Sequence, residues 1–288
     1  MIQDQTAPLR RVYVRPPRGE DARAWRDYGW NAEPHAARAK QEHDAFCAEL
    51  ERAGADVIVG TTPVDGDLDA IYAYDPVLMT DHGAILLHPG KAGRRAEPAA
   101  VAADLRAADV PIAGALEPPA TAEGGDMFWL DPATLAIGRG YRTNDEGIEA
   151  LRRLLPGVRV LGFDLPHRAG PDECLHLLSL LSPLDLDLAV AFLPLLPVRL
   201  VEELQRRDVR IVDVPEEELA TMGPNVLALA PRVALALDGN PRTRSAMEAA
   251  GVDVRTYAGE EISRKGDGGP TCLTRPLDRA GPLPGRDP

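Results

Sequence analysis

Met127-Phe-Trp-Leu130, Thr134-Leu-Ala-Ile137, a segment from Asn144 to Leu155, then Val158-Arg-Val-Leu161 follow one another within 35 residues. The first two are apolar runs of strand length separated by the short polar, proline-containing turn of a hairpin. From Asn144 onward, Ile148, Leu151 and Leu155 recur at helical spacing, and the β-branched run that follows is again a strand. The stretch therefore reads strand, strand, helix, strand.

The same order recurs about every fifty residues. An amphipathic helix running into a short β-branched segment appears at Ala36–Gly60, where Ala39, Phe46, Leu50 and Ala53 line one face. It appears again from Arg95 through Leu105 to Val110-Pro-Ile112, and from Pro197 through Leu200, Val201 and Leu204 to Val209-Arg-Ile-Val212. The last helix opens on Asn240-Pro241, a favourable N-cap and N1 pair, and ends in Val252-Asp-Val254. Strand pairs precede the helices, as in Ala70–Met79 with Ala84–Leu87 and Val226–Leu229 with Val233–Leu237. Five such units suggest a closed ring, because each sheet buries its face only against its neighbours. An α/β domain without symmetry is the other reading of the pattern. No linker divides the chain, so residues 1–276 are expected to form one domain and residues 277–288, rich in Gly, Pro and Arg, a loose tail.

Composition excludes several classes. A net charge of −13 argues against a phosphate-backbone partner, and nucleic acid is not expected to bind. It is compatible with a cationic substrate. No apolar run reaches membrane-spanning length, and no membrane partner is expected. Three cysteines, with no apolar leader before Arg11, lead to the expectation of a cytoplasmic protein.

Cys272 lies in Gly268-Gly-Pro-Thr-Cys-Leu-Thr274, where glycines allow close approach of a substrate. As a nucleophile it would need a positive neighbour to favour the thiolate. His176, after Asp172-Glu-Cys-Leu175 and before an apolar run, could shuttle a proton near neutral pH. Both also have inert readings, as a half-buried thiol and a structural imidazole. Cys174, His176 and Cys272 match no common zinc spacing, so no metal is expected. Asp69 and Asp75 flank Ile71-Tyr-Ala-Tyr74, and Glu123-Gly-Gly-Asp126 places two acids around a tight turn. Such carboxylates could hold a delocalised cation, or be solvated loop acids. Arg94 and Arg142 each precede a helix and could grip a substrate carboxylate or remain surface charges.

Glu123-Gly-Gly-Asp126, Arg142-Thr-Asn144, Met222-Gly-Pro-Asn-Val-Leu-Ala-Leu229, Asp238-Gly-Asn-Pro-Arg-Thr243 and Gly268–Thr274 stand in one order over nearly the whole chain, from Val12 to Pro276. In this the chain resembles the guanidino-group-modifying (pentein) superfamily, which includes dimethylarginine dimethylaminohydrolases, arginine deiminases and amidinotransferases. The resemblance implies a five-bladed α/β propeller of strand-strand-helix-strand units. It implies Cys272 as nucleophile and His176 as general acid/base, with Glu123 completing the catalytic set. Asp75 and Glu123 would hold the guanidinium, Asp69 and Asp126 would line the same pocket, and Arg94 with Arg142 would take an α-carboxylate. The substrate would be a small guanidino amino acid, cleaved through a covalent thiouronium without metal or organic cofactor.

His176-Leu-Leu178 lacks the His-x-Asp typical of the deiminases, which favours methylated arginine as substrate and citrulline as product. Tyr74 stands where the dimethylarginine enzymes often have glutamate. Asp75 stands where dihydrolases tend to have asparagine. Arginine deimination, amidinotransfer to an amine and a non-catalytic binding propeller are the alternatives. The family's small propellers are often dimers, and nothing in the sequence fixes an interface. Pro16 to Pro34, carrying Trp25, Tyr28 and Trp30, is expected to form either a lid or a packed surface segment.

Overall fold

The computed structural model describes residues 2–171 and 173–280. Along the described chain run β1 (Leu9–Val14), α1 (Ala36–Arg52), β2 (Asp56–Val59), β3 (Val77–Thr80) and β4 (Gly83–Leu86). Next come α2 (Glu97–Ala107), β5 (Ile112–Ala115), β6 (Met127–Asp131), β7 (Thr134–Arg139), α3 (Asp145–Leu154) and β8 (Arg159–Asp164). The second half holds β9 (Leu181–Asp185), β10 (Leu188–Ala191), α4 (Val198–Arg206), β11 (Arg210–Asp213), β12 (Val226–Ala230), β13 (Val233–Leu237), α5 (Pro241–Ala249), β14 (Asp253–Tyr257) and β15 (Arg275–Arg279).

These strands form five three-stranded mixed sheets, β3-β4-β5, β6-β7-β8, β9-β10-β11, β12-β13-β14 and β15-β1-β2. In each, the middle strand pairs antiparallel with the first and parallel with the third, to which it is joined by a helix. The fold is thus the expected five-bladed α/β propeller. Burial grades across each blade. Middle strands such as β10 are covered on both faces and read as unbroken apolar runs, whereas the third strand β5 exposes alternate residues and β2 is exposed at both ends. First strands of adjacent blades pack side by side, as β9 does with β12 and β15 with β3.

Local sequence explains the helices. In α3 the Asn144 side chain accepts from the Gly147 N–H at 2.8 Å, Asp145 and Glu146 occupy the first turn, and Arg152 and Arg153 the last. Its Ile148 and Leu151 are buried against β7 and β8. At α5, Pro241 is the first helical residue as expected, but Asn240 does not cap. Its side-chain N–H groups are donated to the carbonyls of Thr221 and Leu237. The expected strand at Ala70–Met79 also begins later. Leu68–Ile71 forms a 3-10 turn, and pairing with β4 starts at Val77.

The tail boundary expected at Pro276 is corrected. It falls inside β15, and residues 277–279 belong to the first blade, where β15 pairs antiparallel with β1. Arg279, 2% exposed, donates to the carbonyls of Ala7 and Ala228. Composition pointed to a loose end, but the unpaired edge of β1 needs a partner, and the last strand supplies it. Residues 281–288 lie outside the described residues. No helix among the described residues is long and apolar enough to cross a membrane.

Topology also decides where loops gather. Because first and second strands are antiparallel, the start of the first and the end of the second lie at one end of the blade. The third strand is parallel to the second, so it finishes at that end too. Connections between blades, and those from second strand to helix, therefore converge on one face.

Because β15 joins the two ends of the chain, a protein ending at Thr274 is expected to lose its cooperative thermal transition. Circular dichroism melting of that truncation beside the full chain measures it.

Candidate active site

Every residue singled out in the sequence lies in one of those converging connections. Asp69 and Asp75 precede β3, Arg94 follows β4, Glu123 and Asp126 precede β6, and Arg142 follows β7. His176 precedes β9 and Cys272 precedes β15. The centre is the contact between Glu123 and His176, 2.8 Å from Oε2 to Nε2, with the two residues 0% and 3% exposed. The Nδ1 side of the imidazole faces Asp75 Oδ1 at 3.8 Å and Cys174 Sγ at 3.7 Å. Gly125 makes this possible. Its N–H donates to Asp75 Oδ1 at 2.8 Å, and a side chain there would collide with both His176 Nδ1 and Asp75.

Burial alone would hold His176 neutral, but its surroundings, Cys174 first and then the Asp75 and Asp126 carboxylates, outweigh it and lift its pKa well above the usual imidazole value. Burial likewise opposes ionisation of Glu123. The hydrogen bond and charge of His176, with the Arg142 guanidinium, hold it well below the carboxylate range all the same. Both shifts favour the ionised form of the pair. Glu123 Oε1 also accepts from the Lys91 N–H at 3.1 Å.

Asp126 is not aimed at a ligand. Its oxygens accept from Thr143 Oγ1 at 2.7 Å and the Leu177 N–H at 3.1 Å. It thus fixes the turn that carries His176, and burial pushes its own pKa up to about 6. His176 caps a 3-10 turn, Leu177–Ser179, rather than starting a strand.

Arg94 departs most from expectation. It is 2% exposed and spent on the protein. Nε and Nη2 bind both oxygens of Glu97 at 2.5 and 2.9 Å, and Nη1 binds Asp75 Oδ2 at 2.5 Å. With Nη2 also on the Tyr72 carbonyl at 3.0 Å, four of its five N–H groups are taken by protein acceptors, which leaves little of the fork for the gripping role expected of Arg94. It orients Asp75 instead. Arg142 is only half committed, with Nη1 on Glu123 at 3.3 Å. Asp69 is buried, with Oδ1 taken by Trp30 Nε1 at 2.8 Å and Oδ2 by Lys91 Nζ at 2.6 Å.

Cys272 is half-buried among these groups, and its carbonyl accepts from the Tyr74 N–H at 3.2 Å. Desolvation and then the Asp75 charge push its thiol up to about 11, against the lowering influence of His176 and of a hydrogen bond from Asn225. That bond, Nδ2 to Sγ at 3.2 Å, identifies Asn225 as a residue to which the sequence assigned no role. Asn225 Oδ1 also accepts from the Thr271 N–H, so one amide positions both the loop and its sulfur. Lys91 and Cys174 were missed too. Tyr74 points away from a guanidinium role, with its hydroxyl accepting from Gln5 and its ring beneath Arg275 at 3.8 Å.

Asp75, Glu123 and His176 place donor atoms within 4.8 Å of one another, close enough to hold a cation. Two of the three already carry an arginine, whose positive charge opposes a metal cation there. A guanidinium, which stacks and shares hydrogen bonds, suits the set better.

The segment expected as a lid or packed surface lies against this site. Trp30 is 5% exposed, stacks on Tyr72 at 5.9 Å and holds Asp69. Tyr28 donates its hydroxyl to the Gly93 carbonyl.

A half-buried thiol, a buried imidazole paired to glutamate and several buried carboxylates thus gather on one face of a five-bladed propeller. A family model for eukaryotic N,N-dimethylarginine dimethylhydrolases matches residues 18–279, and the chain belongs to that family. It is 27% identical over 241 residues to the N(G),N(G)-dimethylarginine dimethylaminohydrolase of Pseudomonas aeruginosa, covering 84% of this chain and 89% of that one. An arginine deiminase of Mycobacterium marinum is 31% identical over 198 residues, but the match covers only 57% of this chain and 48% of the deiminase. The chain thus spans about half the length of the deiminases it matches. Among solved structures, a cysteine variant of the Pseudomonas aeruginosa dimethylarginine enzyme bound to citrulline superposes with a TM-score of 0.76 at 25% identity, covering 93% of this chain and 98% of that one. An amidinotransferase of Microseira wollei superposes at 0.78 and 18% identity over 97% of each chain, which speaks to the fold alone.

Iodoacetamide alkylation of Cys272 in the free protein is expected to accelerate with pH up to about 11. Asn225→Ala should move that midpoint higher, because the lost hydrogen bond favoured the thiolate.

Proposed function

We propose that this protein hydrolyses a C–N bond of Nω-methylated arginine, releasing citrulline and a methylamine through a covalent intermediate on Cys272. The observation that carries this reading is the buried ion pair of His176 and Glu123, set beside Asp75 and close to the thiol. A planar cation entering between Asp75 and Glu123 brings positive charge to a thiol whose pKa burial and Asp75 raise to about 11. The proton leaves to solvent, and the thiolate forms as substrate binds. Sγ attacks the central guanidinium carbon. The His176 imidazolium protonates the departing methylamine as the C–N bond breaks, leaving a thiouronium. The now neutral imidazole takes a proton from water as its oxygen adds to that carbon; the C–S bond then breaks, the hydroxyl proton passes to the leaving sulfur, and citrulline departs. Trp30 and Tyr28 act as the lid that keeps other water out.

The absence of an acid two residues beyond His176 favours methylated arginine over arginine. Leu178 there is 2% exposed and part of the core.

Citrulline release from asymmetric dimethylarginine, monomethylarginine and arginine, with Cys272→Ala as control, tests this reading. Turnover of the methylated compounds is expected, with none in the variant. Turnover of arginine alone would overturn the substrate assignment. Glu123→Gln is expected to lower kcat by about 10²-fold or more. Without the neighbouring carboxylate the His176 pKa falls, so the alkaline limb of kcat, where the imidazolium is lost, should move to lower pH. A pH–rate profile of the variant reads both effects.

A further inference from the structure

β15 carries a buried arginine at each end, Arg275 at 4% and Arg279 at 2% exposed. Both reach across to the first strands of neighbouring blades, Arg279 to the Ala228 carbonyl of β12 and Arg275 to the Val77 carbonyl of β3. Arg275 uses Nη1 for this, with the Tyr74 carbonyl at 3.1 Å and the Val77 carbonyl at 2.9 Å. Its Nε is buried without a partner, and neither Nε nor Nη2 makes a hydrogen bond or ion pair among the described residues. Asp75, whose charge reaches Arg275, is itself closed on Arg94. The guanidinium carbon lies 3.8 Å from the centre of the Tyr74 ring, and that contact offsets part of the cost of burial.

An arginine does not escape burial by shedding its proton. Desolvation lowers the Arg275 pKa, but from so high an ordinary value that the group stays charged. A buried charge without a counter-charge is costly, and neither a carbonyl nor an aromatic ring neutralises it. We infer that Arg275 anchors an anion site where the first strands meet, taking a small monovalent anion for which a carboxylate the size of formate is the best match. Nε and Nη2 form the edge of the guanidinium whose two parallel N–H bonds meet both oxygens of a carboxylate. Nη1 is the part fixed to the protein, so the edge that remains is the one suited to an oxyanion. Arg279, whose charge is met in part by Asp4, adds positive potential from the same strand. Burial to within 4% limits the occupant to a few atoms.

The test uses the full chain, with formate as the probe. Thermal unfolding is followed as sodium formate replaces sodium gluconate at constant ionic strength, gluconate being too bulky to enter. The wild type is expected to gain about 2 °C or more in Tm, saturating with formate concentration. Arg275→Met should lose that saturating gain. Tyr74→Glu, which tethers a carboxylate beside the guanidinium, should lose it too. A second measurement needs no variant: wild-type crystals soaked in sodium bromide should show an anomalous-scattering peak in contact with Arg275 Nε and Nη2. A gain that persists undiminished in Arg275→Met places the anion elsewhere and overturns the assignment. A wild type with no saturating gain, or a bromide map without that peak, overturns it as well.

Discussion

Burying an ionised carboxylate against an imidazolium is costly unless every remaining lone pair and proton finds a partner. Glu123 and His176 are buried in just this way, and much of the surrounding structure answers that demand. Glu123 receives the Lys91 N–H from the second blade and Arg142 from the third. Its own N–H is donated to Thr143 Oγ1, whose proton goes to Asp126, whose other oxygen holds the turn bearing His176. Loops from three blades are tied in one chain of hydrogen bonds. Removing one member leaves a buried charge without a partner, so the residues act as a unit.

The electrostatics of the site are incomplete in one respect. Histidine and glutamate are already ionised in the senses that proton transfer needs, while the thiol is held in the unreactive form by desolvation and by Asp75. In the reaction proposed above, a cation bound between the carboxylates removes that bias. In that reaction the same negative charges that disfavour a thiolate become the binding site for the group that generates it. Reactivity toward the substrate and inertness toward adventitious electrophiles then have a single cause.

Much of this was visible in the sequence, and the parts that were not share a reason. The alternation over residues 127–161 gave β6, β7, α3 and β8 because hydrophobic period is a local property, and five repeats of it implied the ring. Glu123, His176 and Cys272 fall together because each follows the same topological position, just before a first strand. Pairing is what local pattern does not carry. Arg94 and Glu97 stand three apart, a spacing at which side chains meet, and that signal could have flagged an internal ion pair. Lys91 on Asp69 and Asn225 on Cys272 join residues 22 and 47 apart in the chain, and only the converging loops bring them within reach. The misplaced tail boundary has the same origin, since a short strand rich in charge declares itself only when a distant edge is left open.

Ring closure and nucleophile placement are one structural event. Cys272 lies three residues before β15, the strand that joins the chain's end to its beginning. Arg275, at the first position of that strand, donates to the carbonyls of Tyr74 and Val77, and the Tyr74 N–H in turn binds the Cys272 carbonyl. Asp75, the next residue, is the carboxylate that both faces His176 and raises the thiol. The thiol loop is thus clamped from one side by the last strand and from the other by the second blade's entry, with Asn225 of the fifth blade's entry setting the sulfur. A loop of glycines would ordinarily be free to wander. Here its two ends are fixed by the same pairing that closes the propeller, so the geometry of attack depends on the completeness of the ring.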